Sequence, residues 1–182
     1  MNWEKLTNDV VAAAAAAFGS LISERKGEHF YAFALYTDGD AWTILAAANS
    51  LEQHQKAVLK FGETNAQNVA AYKWSTGEWA YENWKGELFT DIYRDLAKYR
   101  KTQENTDSDY ASYKNSVHEC MITALKRLDQ SGFFGEMRSS IVLFVSSTDN
   151  DETETIENYS AKELNSQSVY SEFIERFVTK SH

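Results

Sequence analysis

Apolar residues recur at steps of three and four through residues 3–25, where Leu6, Val10, Val11, Ala14, Phe18, Leu21 and Ile22 share one face. That period predicts an amphipathic helix. The alanines from Ala12 to Ala17 favour helix intrinsically and permit close packing, and Lys26-Gly27 ends it. Two apolar and aromatic runs, Phe30–Tyr36 and Ala41–Ala48, then flank Asp38-Gly39. Asp and Gly tolerate the positive φ of a tight turn, so this stretch predicts a β-hairpin. Ser50-Leu51-Glu52-Gln53 fits a capping box and predicts a helix to about Lys60. Gly62 to Asn68 reads as loop, Val69–Trp74 as a third strand, and Ser75–Glu78 as a turn into a short helical segment.

Leu88, Ile92, Leu96 and Tyr99 mark a helix that ends near Arg100, followed by the polar stretch Lys101–Ser108. A longer helix from about Asp109 turns Tyr110, Tyr113, Val117, Met121, Leu125 and Leu128 inward until Gly132 stops it. Ile141–Val145 is continuously apolar, the pattern of a central strand covered on both faces. Asp149–Glu157 opens an acidic helix, and a last helix from about Ser168 to Thr179 buries Val169, Tyr170, Phe173, Ile174 and Phe177. This order of elements predicts an α+β fold in a single domain over residues 1–182. Its sheet is expected to be mainly antiparallel, built from a β-hairpin and a central strand and packed by several helices.

Charge changes the picture more than overall composition does. A formal net charge of −9 disfavours binding to a phosphate backbone, which needs clustered Lys and Arg, and suits a protein partner with a basic surface. The basic stretches Arg94–Lys101 and Lys126-Arg127 read as solvated helix faces. Cys120 is the only cysteine, which excludes an intrachain disulfide and fits a reducing compartment. Val10–Phe18 resembles a signal-peptide core, but Glu4 and Asp9 precede it, and it is shorter than the roughly 20 apolar residues of a bilayer span. A cytoplasmic protein without membrane attachment is the expectation.

Candidate chemistry centres on Tyr72–Trp84, which holds three of the five tryptophans. Trp74, Trp79, Tyr81 and Trp84 are residue types that anchor interfaces, although such rings, Trp74 and Trp79 above all, are more often core. Glu78 and Glu82 between them would lie one turn apart if the segment were helical, and paired carboxylates can share acid and base work. Consecutive turns of one helix are nevertheless a poor source of the geometry that chemistry needs. Asp149, Asp151, Glu152 and Glu154 form an acidic helix start that complements the macrodipole and could meet a basic partner. They lack the EF-hand glycine and terminal glutamate, and the histidines lack zinc-ligand spacing, so neither metal nor cofactor is expected.

Four segments taken together resemble a known family. They are Phe30–Tyr36 running on to Ala46–Asn49; Tyr72–Ser75 with Glu78-Trp79; Leu128-Asp129 with Gly132–Gly135; and Ile141–Val145 followed by Ser147–Asp149. The pattern is similar to the bacterial family known as domain of unknown function 4303, over about residues 3–178. No activity or catalytic residue follows from that resemblance. It implies, by association, small acidic proteins encoded beside polymorphic toxins.

The functional expectation is therefore a stoichiometric binding module, most concretely an immunity protein that neutralises a cognate toxin, such as a nuclease with a basic cleft. The alternatives are an enzyme with a carboxylate site near the tryptophan-rich segment, or a regulatory or scaffold domain.

Overall fold

The computed structural model describes residues 1–62, 64–102 and 106–177. Asn2 caps the first helix, α1 (Trp3–Glu24), by accepting the Lys5 N–H at 3.0 Å. Its face Leu6, Val10, Ala14, Phe18 and Leu21 is buried, as the three-and-four spacing requires. At 22 residues it is long and apolar enough to cross a membrane by length and composition, and here that apolar face packs into the core.

Strands β1 (Phe30–Thr37) and β2 (Leu45–Ser50) pair antiparallel, with Phe33 opposite Ala48 and Leu35 opposite Ala46. The turn between them is wider than the Asp38-Gly39 pair suggests. The Asp38 carboxylate accepts N–H groups from Asp40 and Trp42 and the Thr43 hydroxyl, which rounds the chain into a loop. Ala41 takes up a positive φ of 56° there, and the Tyr113 hydroxyl donates to its carbonyl at 2.7 Å. The second strand consequently begins at Leu45, later than Ala41.

Ser50 caps α2 (Leu51–Phe61) through the Gln53 N–H, and Gly62 ends it at φ 59°. Val69–Trp74 is not a third strand. Asn65 accepts the N–H groups of Gln67 and Asn68 and so opens a helix, α3 (Ala66–Trp74), over those residues. Neither α2 nor α3 contributes a buried residue; Leu59 is 71% exposed. The helices α4 (Thr90–Arg100) and α5 (Asp107–Gln130) follow, and Gly132 stops the latter at φ 77°.

The third strand, β3 (Val142–Ser147), pairs with β1 in parallel, with Phe33 opposite Leu143 and Leu35 opposite Val145. The sheet is therefore mixed, in the order β2-β1-β3, and the strand expected at its centre takes an edge in the order of pairing. It is still buried on both faces. Phe33, Leu35, Leu143 and Val145 pack towards α1 and α5, whereas Ala34, Val142 and Phe144 face Trp79, Ala161 and Phe173. Ile44 is also in the core.

Both sheet edges are closed by groups that belong to no strand. Along β2, the Ala48 N–H donates to the Tyr81 carbonyl and the Trp84 N–H to the Ala46 carbonyl. Along β3, side chains of α6 (Asn150–Leu164) and its C-cap Asn165 stand in for a partner strand. The Ser160 hydroxyl accepts the Val145 N–H at 2.8 Å, and Asn165 bonds both the N–H and the carbonyl of Leu143. Unpaired strand edges invite association, so this closure blunts them. The chain ends its described course in α7 (Gln167–Ile174), shorter than expected. Phe173 alone of its apolar residues is buried; Ile174 and Phe177 are exposed, and Thr179 lies outside the described residues.

Because Leu143 is fully buried on the face of β3 that meets α5, Leu143→Ala should cost about 2–5 kcal/mol in urea unfolding. A loss under about 1 kcal/mol would place its side chain outside the core.

Candidate functional site: an acidic cleft between two helices

The tryptophan-rich segment serves the fold first. Tyr72–Trp74 end α3, Thr76–Glu78 form one 3₁₀ turn, and Trp79 is extended at ψ 143°. Glu78 and Glu82 therefore do not stand on consecutive turns of a helix. Glu78 is exposed, and Glu82 accepts the Tyr36 hydroxyl. Trp79 is buried at 4% exposure, its indole N–H donating to the Lys73 carbonyl and its ring edge-on to Phe144 at 5.6 Å. Tyr81 is equally buried, and its hydroxyl donates to Glu28 at 2.7 Å. Burial works to raise the Glu28 carboxyl, but hydrogen bonds from Ser50, Tyr81 and Gln53 outweigh it and hold the group low. These two rings are committed inward. Trp84 is half-buried, its indole N–H on the Ser20 hydroxyl and the Arg25 guanidinium 5.8 Å from its ring. Trp74 is half-buried between Tyr31 and Phe173.

The acidic start of α6 meets α5 instead. Asp149 caps α6 by accepting the Asp151 N–H, and its other oxygen faces Lys114 at 3.3 Å. Glu152 lies 2.6 Å from the same ammonium. The Lys114 side chain is 7% exposed; burial works against its charge, but these two carboxylates win and its pKa is raised. Asp149 and Glu152 are therefore anchors of one helix on the other, while Asp151 and Glu154 remain exposed.

Beside this pair the two helices diverge into a cleft of about 420 Å³. Tyr110, Ala111, Asn115 and Glu119 form the α5 wall; Asp151, Thr155 and Tyr159 form the α6 wall; His118 and Ile156 lie between them. The negative charge of Glu119 raises the Tyr159 phenol. His118 is only 7% exposed, and its Nε2 has no hydrogen-bond partner among the described residues. Burial lowers its pKa, with Lys114 acting in the same sense and Glu152 opposing, so the imidazole is held neutral. Sequence reasoning named Asp151 and Glu152 on the α6 wall and missed the α5 side of this site. Its trace was there, since Lys114 and His118 interrupt the inward stripe of α5 at a spacing of four.

A second hollow, also about 420 Å³, opens where β3 gives way to α6 and brings Trp74 together with Glu154, Thr76, Ser147 and Phe177. Glu157 lines it too, buried and bonded to Ser146 and Arg176. Among the described residues, no group of three His, Cys, Asp or Glu side chains is placed to hold a metal ion. Cys120 is buried against Thr7, and burial pushes its thiol up to about 11, away from nucleophilic use.

The fold and the cleft define an acidic α+β protein whose described strands form a mixed sheet, closed by backbone groups along β2 and by side chains along β3. The family model described as Domain of unknown function (DUF4303) matches residues 10–166, and the chain belongs to that family. No curated protein and no solved structure matches it.

His118 gives the cleft a pH signature. Its folded pKa lies below the ordinary value of 6.5, so the unfolded chain takes up the proton first. The stability it contributes is complete above 6.5 and is lost as pH falls through the lowered folded value. Urea midpoints should therefore drop as pH falls from 6.5 towards that lowered value, and His118→Gln should flatten the slope. An identical slope in the variant would assign the acid sensitivity to other groups.

Proposed function

We propose that the chain is a stoichiometric protein-binding module that takes a partner with a basic surface, and most concretely a cytoplasmic immunity protein that neutralises a cognate toxin. The observation that carries this reading is the division of labour among the α6 carboxylates. Lys114 pairs with Asp149 and Glu152, whereas Asp151, Glu154 and Glu119 enter no ion pair among the described residues. Carboxylates left unpaired around a concave surface attract a complementary charge and speed its arrival. The net charge of −9 acts in the same direction over longer range. A nuclease toxin, whose cleft is basic because it binds phosphates, is the partner class that suits such a face.

An enzyme remains the second reading, and one observation favours it: a buried histidine with a lowered pKa beside a buried lysine in a cleft is the company acid–base chemistry keeps. Turnover by the purified protein on ester, glycoside, phosphate or nucleotide substrates, lost in His118→Gln, would decide for it.

Two outcomes are expected for the binding reading, measured by stopped-flow association with a candidate toxin of basic surface. Association should slow steeply with salt, because exposed charges are screened over about 8–10 Å at physiological ionic strength. The double change Asp151→Ser with Glu154→Ser should slow association and leave the thermal melt unchanged. Asp149→Ser with Glu152→Ser should by contrast lower stability, since it strands the Lys114 ammonium. Association indifferent to both salt and the Asp151/Glu154 pair would remove the electrostatic basis of the reading.

A further inference from the structure

The α5–α6 cleft carries more than a sign of charge. We propose that it is a receptor for a single arginine side chain of the protein partner, its guanidinium held by Glu119 and Asp151 and its deepest N–H accepted by His118. The proposal rests on the protein-binding reading and names the chemistry of the contact.

Four features converge on that group. The first is electrostatic: Glu119 and Asp151 stand on opposite walls with no cationic partner among the described residues, while Lys114, which also lines the cleft, is already paired with Asp149 and Glu152. The second is the lining. Ala111 and Ile156 offer apolar contact for a methylene stem, and a long cationic side chain buries its stem while its head seeks charge. The third is aromatic. The Tyr110 ring is already occupied by Arg100 at 5.1 Å and Lys114 at 5.5 Å, whereas Tyr159 is 47% exposed and open to a planar cation.

The fourth feature is the buried histidine. His118 is more than nine-tenths buried, lines the cleft and leaves Nε2 unpartnered, a condition that disfavours the free protein and is relieved by a ligand donor. With the proton on Nδ1, the neutral ring presents Nε2 as an acceptor, the complement of an N–H donor. A guanidinium supplies five such donors in a rigid plane and is weakly hydrated, so it can bond two carboxylates and an imidazole at once. An ammonium is a compact, strongly hydrated point charge and matches this spread of acceptors less well. The cleft volume of about 420 Å³ lies within the roughly 300–1,000 Å³ of small-ligand pockets.

The test is an NMR titration of the full chain with N-acetyl-L-arginine methylamide, following the His118 imidazole nitrogens and the methyl groups of Ala111 and Ile156. Saturable shifts confined to the cleft are expected. The matching lysine derivative should bind more weakly, and the citrulline derivative, which keeps the shape and removes the charge, should not bind. Glu119→Gln and Asp151→Asn, both at exposed positions, should each weaken arginine binding by about 2–10-fold without moving the thermal melt. Equal saturation by citrulline, or no saturable shift with arginine, overturns the proposal. The binding reading is judged separately by salt-dependent association with the protein partner, which can hold while the arginine titration fails.

Discussion

Three strands leave two open edges, and the whole architecture follows from how those edges are satisfied. Buried N–H and carbonyl groups must find partners, and among the described residues no fourth strand supplies them. On the β2 side, the backbone of Tyr81 and Trp84 runs close enough to exchange two hydrogen bonds with Ala46 and Ala48. On the β3 side, Ser160 and Asn165 reach from the end of α6 to Val145 and Leu143. The second closure fixes the depth and rotation of α6 against the sheet. With Ser160 turned inward, Ile156 and Glu157 are buried, and Asp151, Thr155 and Tyr159 are left along one wall of the cleft. The candidate site is thus a by-product of an edge that needed closing.

That dependence explains the fate of the aromatic stretch. A tryptophan-rich, glutamate-spaced segment looks like a recognition surface because its residue types are those of interface anchors. Trp79 and Tyr81 are spent on covering the sheet instead, and their N–H and O–H groups are answered by the Lys73 carbonyl and the Glu28 carboxylate. Placing the chain there requires Asn83 and Lys85 to adopt φ values of 53° and 55°, a local cost borne by the edge contacts around it.

Much of the fold was legible where periodicity and capping chemistry agree. The face of α1, the Ser50 cap of α2, the stop at Gly132 and the fully buried run Ile141–Val145 all follow from spacing or turn residues. Reading failed where a side chain reorganised the backbone. Asp38 widened the hairpin loop by accepting three donors, and Asn65 turned an apparent strand into α3. Ile141–Val145 read as central because burial on both faces is visible in a sequence, whereas the identity of a strand's neighbour is not. The cleft was illegible for a similar reason. Lys114, His118 and Glu119 are a whole strand away in sequence from Asp151 and Tyr159, and only the packing of α6 brings them together.

The parallel pairing of β1 with β3 also sets a timetable. About a hundred residues separate Tyr36 from Ile141, so on the ribosome the hairpin is complete well before its third strand exists. At about 5–20 residues per second, that interval is roughly 5–20 s. Throughout it, β1 exposes the row of backbone groups that Val142–Ser147 will eventually occupy, with Phe33 and Leu35 beside them. A nascent chain in that condition is open to capture by any other extended apolar segment. Its yield in the cell is then governed by what shields one unfinished strand during synthesis, in addition to the stability of the finished fold.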